Sequence, residues 1–70
     1  MPLIFVEAGK IVKVLRVSGT AEVKKHLEDL GFVAGTEVEV VQSQGGNLIV
    51  NVKGSRLAIT KELAQKITVS

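Results

Sequence analysis

Hydrophobic and polar side chains alternate along much of the chain, which indicates β-strands. In the segment GKIVKVLRV, Val12 and Val14 share one face but Val17 falls on the other. Successive residues of a strand point to opposite faces, so this change of phase predicts a bulge or sharp bend near Leu15 and Arg16. A bend of this kind lets a short sheet curl.

The segment after this strand has the period of an amphipathic helix. Val23, Leu27 and Leu30 form one apolar stripe, and charged residues occupy the other directions. Thr20 or Ser18 is placed to cap the N-terminus of this helix. The stripe predicts that the helix packs one face against the core.

A glycine directly after the helix predicts how the helix ends. Gly31 can adopt the left-handed conformation of a C′ residue, and Phe32 can then fold back against the last turn in a Schellman-like contact. Gly35 allows a second turn before the next strand. Two interpretations of Phe32 stay open. It is either an ordinary core residue or, beside Leu30, a partly exposed anchor for a partner, because so small a domain buries little.

Further short strands follow, separated by turn signals. Val38 and Val40 point inward in the first of them, and Thr60 is placed to cap a single helical turn. In chain order the segments are TEVEV (36–40), the turn QGGN (44–47), LIVNV (48–52), the turn KGS (53–55), RLAI (56–59), the helical turn KELAQ (61–65) and KITV (66–69). The glycine turns predict hairpins.

These elements predict a mainly β domain of about five strands, with one inserted α-helix and one short helical turn. Seventy residues form a single domain, 1–70, because a chain this short supports only one core. Closure removes exposed strand edges, so the bend near Leu15 favours a small, partly open barrel with the helix covering one side. The alternative is an α+β sandwich with the helix over an open sheet.

Composition narrows the function classes. The apolar share is 46% and there is no cysteine, so apolar packing must hold the fold without disulfides. The longest wholly apolar run, residues 3–6, is far below the roughly 20 residues that cross a bilayer, and no signal peptide is evident. We therefore expect a cytoplasmic protein that does not insert into a membrane. The net charge of +2 neither demands nor forbids an anionic partner.

The reactive side chains are few. One histidine, one aspartate and no cysteine, tyrosine or tryptophan give no basis for a catalytic constellation, so we expect no enzyme and no cofactor. Glu22, His26 and Asp29 share a helical face and are weak candidates for a metal site, although solvated helix charges are the more common case. The glycine pair at 45–46 lacks the lysine and helix of a phosphate-binding loop.

Basic side chains raise nucleic-acid binding as an alternative function. The residues that could form a patch are Lys10, Lys13, Arg16, Lys24, Lys25, Lys53 and Arg56. The aromatic side chains on which single-strand binders stack bases are nearly absent, since Phe5 and Phe32 are the only two aromatics. Scattered, solvated surface charge is therefore the favoured interpretation.

Two stretches, VKKHLEDLGFVAGTEVEV and GGNLIVNVKGSRLAITKELAQKITV, carry a family resemblance. With their order and spacing, residues 9–69 resemble the ferrous iron transport protein A (FeoA) family. The positions that match the family pattern are Leu27, Leu30, Gly31, Gly35, Thr36, Val38, Val40, Gly54, Arg56, Leu57, Ala58, Leu63 and Ala64. Ala34 and Asn47 depart from it, because prolines are common at both places, and this makes the two loops less constrained.

The resemblance implies an SH3-like barrel with an inserted helix. It also implies a non-enzymatic, cytoplasmic accessory role toward the membrane permease that imports ferrous iron and carries a cytosolic GTP-binding domain. The candidate partner-binding residues on this chain are Leu30, Phe32, Lys24, Lys25 and Arg56. Direct carriage of ferrous ion through His26 is a weaker hypothesis, because a single histidine supplies few ligands.

Overall fold

The computed structural model describes residues 1–70 and contains five strands joined in one antiparallel sheet. The strands are β1 (Ile11–Val17), β2 (Glu37–Gln44), β3 (Asn47–Val52), β4 (Ser55–Thr60) and β5 (Ile67–Val69). Their order across the sheet is β4-β3-β2-β1-β5, so β4 and β5 form its two edges and the sheet is not closed. The predicted mainly β, partly open architecture is confirmed.

Strand β1 is shared between two neighbours. Its first half pairs with β2, with Ile11 opposite Glu39, and its second half pairs with β5, with Val17 opposite Ile67. The β5 register shifts between Val14 and Arg16, which confirms the predicted bulge at this point. Because a bulge bends the strand and increases its twist, β1 can continue from one half of the sheet into the other.

A second register shift lies between Val40 and Gln42, where β2 pairs with β3. The sequence analysis did not predict it. Val40 is buried and the adjacent Val41 is half-buried, so two consecutive apolar residues interrupt the alternation that otherwise holds along β2. The interruption is the same kind of signal that revealed the first bulge.

Helix α1 (Ala21–Asp29) begins and ends as the sequence indicates. The backbone N–H of Val23 donates to Thr20 Oγ1 over 3.2 Å, so Thr20 rather than Ser18 is the N-cap. At the other end, the N–H of Gly31 donates to Glu28 and that of Phe32 to Leu27. With Gly31 at φ +111°, these two bonds are those of a Schellman motif.

The connection from β4 to β5 is the short helix α2 (Lys61–Ala64). Its N-cap is Thr60, whose Oγ1 accepts from the N–H of Leu63 over 3.3 Å. Both predicted hairpin turns are present. The residues flanking Gly45–Gly46 pair across β2 and β3, and those flanking Lys53–Gly54 pair across β3 and β4. The chain therefore forms β2, β3 and β4 as consecutive hairpins.

The core fills the space between the curled sheet, α1, α2 and a 3-10 turn at Leu3–Phe5. Val23 and Leu30 of the helix segment are half-buried at its margin. The buried hydrophobic residues are Leu3, Val6, Val14, Leu27, Phe32, Val38, Val40, Leu48, Val50, Val52, Ile59, Ala64, Ile67 and Val69. Neither α1 nor α2 has the length and apolar character that a membrane-crossing helix needs.

Candidate functional site

The helix end was predicted to present an aromatic anchor, and the structure corrects this. Phe32 has no exposed surface, because the Schellman turn directs it back into the core with Leu27. Leu30 is half-buried against the same core. The interpretation of Phe32 as a partly exposed anchor is therefore wrong, and its alternative as a core residue is right.

The basic residues proposed as partner contacts lie on separate elements. Lys24 and Lys25 are exposed on α1, whereas Arg56 is exposed on β4. Arg56 Nε donates to Asn51 Oδ1 over 3.4 Å, and Asn51 Nδ2 donates to Glu39 Oε1 over 3.1 Å. Arg56 thus belongs to a polar row across β4, β3 and β2, where cross-strand pairs stabilise the sheet.

No three His, Cys, Asp or Glu side chains are grouped as a metal site would require. Glu22, His26 and Asp29 are exposed along α1 and do not form such a group. The shared helical face inferred from their spacing is therefore a line of solvated side chains. His26 therefore belongs to no group of three such side chains.

The remaining basic residues are interspersed with acidic ones along the chain. Lys13, for example, lies directly opposite Glu37 in the pairing of β1 with β2. Of the two aromatic residues, Phe32 is buried and only Phe5 is exposed. The features that a nucleic-acid surface uses, namely a basic groove and stacking aromatics, are not combined here.

The structure does reveal an exposed apolar surface that the sequence analysis missed. Phe5 is 70% exposed, Ile11 63% and Met1 58%, and all three line one groove. This apolar groove has a volume of about 260 Å³ and is lined by Met1, Phe5, Val6, Glu7, Lys10, Ile11 and Val12. Large side chains clustered in the open in this way are typical of interaction sites.

Local structure explains why these side chains face outward. Leu3, the first residue of the 3-10 turn, and Val6, the residue after it, are both buried, which leaves Phe5 on the opposite side. On β1, Val14 is buried and Val12 half-buried, so alternation places Ile11 on the outer face. The spacing of Leu3 and Val6 was the available signal, but a single turn is too short to show a clear period.

A second, polar groove adjoins the first. It has a volume of about 400 Å³ and is lined by Ile11, Thr36, Glu37, Glu39, Asn51, Lys53 and Gly54. Ile11 therefore borders both grooves, so they meet at this residue of β1. The carboxylates, amide and ammonium group of the polar groove offer polar contacts near the apolar ones.

Comparison with known proteins places this chain in a family. The FeoA domain profile matches residues 1–70, the whole chain. The chain belongs to the FeoA family. A Methanocaldococcus jannaschii protein that carries the name Fe(2+) transport protein A is 34% identical to this chain over 68 residues. The match covers 97% of this chain and 83% of that protein.

Solved FeoA structures agree in fold. The solution structure of FeoA from Chlorobium tepidum has a TM-score of 0.89 and 32% identity, covering 99% of this chain and 68% of that one. The zinc-complexed FeoA of Stenotrophomonas maltophilia has a TM-score of 0.88 and 28% identity, covering 100% and 89%, and is described as an SH3 domain protein. These matches confirm the predicted SH3-like fold and the role of the family in ferrous iron transport.

Proposed function

We propose that this chain is a non-enzymatic, cytoplasmic accessory protein of ferrous iron uptake that binds the cytosolic part of the ferrous iron permease. Membership of the FeoA family, whose members are named for Fe(2+) transport, supports the process. The scarcity of reactive side chains supports a binding role over a catalytic one. Iron is the transported substrate of the partner in this scheme, and this chain is not its carrier.

The observation that carries the binding role is the apolar groove. Three of the four large hydrophobic side chains that are strongly exposed, Met1, Phe5 and Ile11, line it together. Burying an exposed Phe or Ile side chain in an interface contributes about 1.5–3 kcal/mol, which makes Phe5 and Ile11 the natural anchors of a complex. Glu7 and Lys10 at the rim supply polar contacts around that centre.

The groove replaces the surface inferred from sequence. Since Phe32 is buried, the residues inferred from sequence on or next to α1 that remain accessible are half-buried Leu30 and the exposed Lys24 and Lys25. Such rim-type charges contribute mainly to the rate of association and its salt dependence. We therefore assign the main contact to the groove and a secondary, steering role to the α1 lysines.

Capture of the permease's cytosolic domain tests this assignment. The Phe5→Ser and Ile11→Ser variants should each weaken capture at least about tenfold, as expected for loss of an interface anchor. Leu15→Ser is the matched control, because Leu15 is 52% exposed and does not line the groove. Circular dichroism verifies that all three variants are folded.

Two results would reject the assignment. Equal capture by wild type and both groove variants would remove the groove as the contact. Loss of capture in Lys24→Ala and Lys25→Ala, with the groove variants unaffected, would return the contact to α1. If the wild type itself shows no capture of the cytosolic domain, the proposed partner is wrong.

A further inference from the structure

The two edges of the sheet differ in how they are covered. At the β5 edge, the N-terminal ammonium of Met1 donates to the carbonyl of Val69 over 2.8 Å, and the N–H of Val69 donates to Met1 over 2.7 Å. Pro2 bridges Thr68 and has no N–H to offer a further strand. The N-terminal segment therefore covers this edge, whereas β4 pairs only with β3.

The hydrogen-bonding phase of β4 identifies its free backbone groups. The N–H of Lys61 donates to the carbonyl of Gly46. Lys61 and Gly46 come directly after the pair of Thr60 with Asn47, so they form a hydrogen-bonded pair of the ladder. Bonded and non-bonded pairs alternate in an antiparallel ladder, so the bonds to β3 come from Ser55, Leu57 and Ile59. The remaining β4 residues, Arg56, Ala58 and Thr60, direct their N–H groups away from the sheet.

Strand β4 also has few of the devices that usually protect an edge. Its six pairs with β3, from Val52 opposite Ser55 to Asn47 opposite Thr60, run without a register shift. The β1–β5 and β2–β3 ladders, in contrast, each contain one. It contains no proline, and Arg56 is its only charged residue. A regular edge whose backbone N–H groups point away from the sheet is a template for another strand.

We propose that β4 pairs antiparallel with β4 of a second copy of this chain, about a twofold axis at Ala58. In this register Ala58 lies opposite Ala58 of the second copy, and Arg56 of each copy lies opposite Thr60 of the other. All three outward residues of each strand therefore have a partner. No like charges are then opposed, and the small Ala58 side chains meet at the axis. A second copy is favoured as the occupant because β4 paired with itself in this register opposes no like charges and places only the small Ala58 side chains at the axis.

The contact is small, with about four backbone hydrogen bonds at the centre of the register, so it forms a weak, concentration-dependent dimer. None of the β4 residues lines the apolar groove. Pairing through β4 is therefore independent of the proposed docking on the permease. A dimer of this kind would carry two docking grooves and gain avidity for clustered partners.

Site-directed cross-linking tests the register, because the chain has no native cysteine. A short bis-maleimide should link Ala58→Cys into a covalent dimer, since two copies of position 58 face each other across the axis. Arg56→Cys is the control on the same strand. Its two copies would stand four residues out of register, roughly 14 Å apart along the strand, and should link at least about tenfold less.

Sedimentation equilibrium tests the pairing itself. The apparent mass of the wild type should rise above 7.4 kDa with concentration, while Ala58→Pro should stay at the monomer mass. Proline at position 58 removes only an outward N–H, a place that edge strands tolerate. A wild type that stays monomeric, or equal linking of Ala58→Cys and Arg56→Cys, would overturn the proposal. If Ala58→Pro fails to fold, the cross-linking comparison decides.

Discussion

The side chain of Lys53 lies across Gly31, and both residues have positive φ. A Cβ placed on Gly31 would stand 3.5 Å from Lys53 Cδ and 3.4 Å from Val52 Cγ2. Gly31 has φ +111° and ends α1, while Lys53 has φ +51° and begins the β3–β4 turn. The two turns therefore support each other where the helix end meets the sheet.

Gly31→Ala should destabilise the domain by about 1–2 kcal/mol, because an L side chain is strained at this φ. The surrounding space is sufficient for a methyl group, so strain and not a clash is the cause. Urea unfolding followed by circular dichroism measures the change. Gly46→Ala is the control: its φ is not positive and its Cβ would meet nothing within 4 Å. Equal destabilisation of both variants would contradict the prediction.

Lys53→Asn should stabilise the domain by about 0.5–1 kcal/mol. Lys53 and Gly54 both have positive φ, as a two-residue type I′ turn requires, and asparagine adopts this conformation more readily than lysine. The midpoint of thermal unfolding should rise. Lys53→Ala removes the same charge without favouring the turn, so it should not be stabilising. A lower midpoint for Lys53→Asn than for wild type would refute this explanation.

Replacing each of the two phenylalanines by alanine should change the free energy of unfolding by very different amounts, because one is buried and the other exposed. Phe32→Ala should cost about 3–5 kcal/mol, because the side chain is fully buried and its loss leaves a cavity. Phe5→Ala should change the free energy of unfolding by less than about 0.5 kcal/mol, since 70% of Phe5 is exposed. Chemical denaturation of both variants provides the comparison. Similar losses in the two would show that Phe5 is part of the core.

Thr20→Ala should cost about 1 kcal/mol by removing the bond from the N–H of Val23 to Thr20 Oγ1. Thr20→Ser keeps a hydroxyl at the same position and should retain most of the stability. Ser18→Ala is a matched control, because Ser18 was the alternative cap and its side chain does not cap α1. Equilibrium unfolding of the three variants tests whether the cap acts as described.

Local signals were sufficient to predict the strands and the two α-helices. Val12, Val14 and Val17 showed the bulge in β1 because the alternation of a strand is a property of neighbouring residues. Thr20 and Gly31 marked the ends of α1 for a similar reason, since caps depend on a few adjacent backbone groups. Such features do not require knowledge of what lies across the core.

The candidate site could not be predicted in the same way. Whether Phe32 was exposed depended on where the helix end meets the sheet, which is a tertiary property. The groove is lined by Phe5 of the 3-10 turn and Ile11 of β1. The sequence around either residue does not indicate that the two side chains lie next to each other. Family resemblance did not help here, because the positions that match the family pattern are mainly architectural.

The division of β1 between two neighbours has a kinetic consequence. Strands β2, β3 and β4 follow one another through tight turns, whereas Val14 must find Val69 near the far end of the chain. Loop-closure entropy makes such distant pairing slow, so we expect the hairpins to form early and the β1–β5 ladder to complete folding. Substitutions in that ladder should then mainly accelerate unfolding, and substitutions in the hairpins should slow refolding.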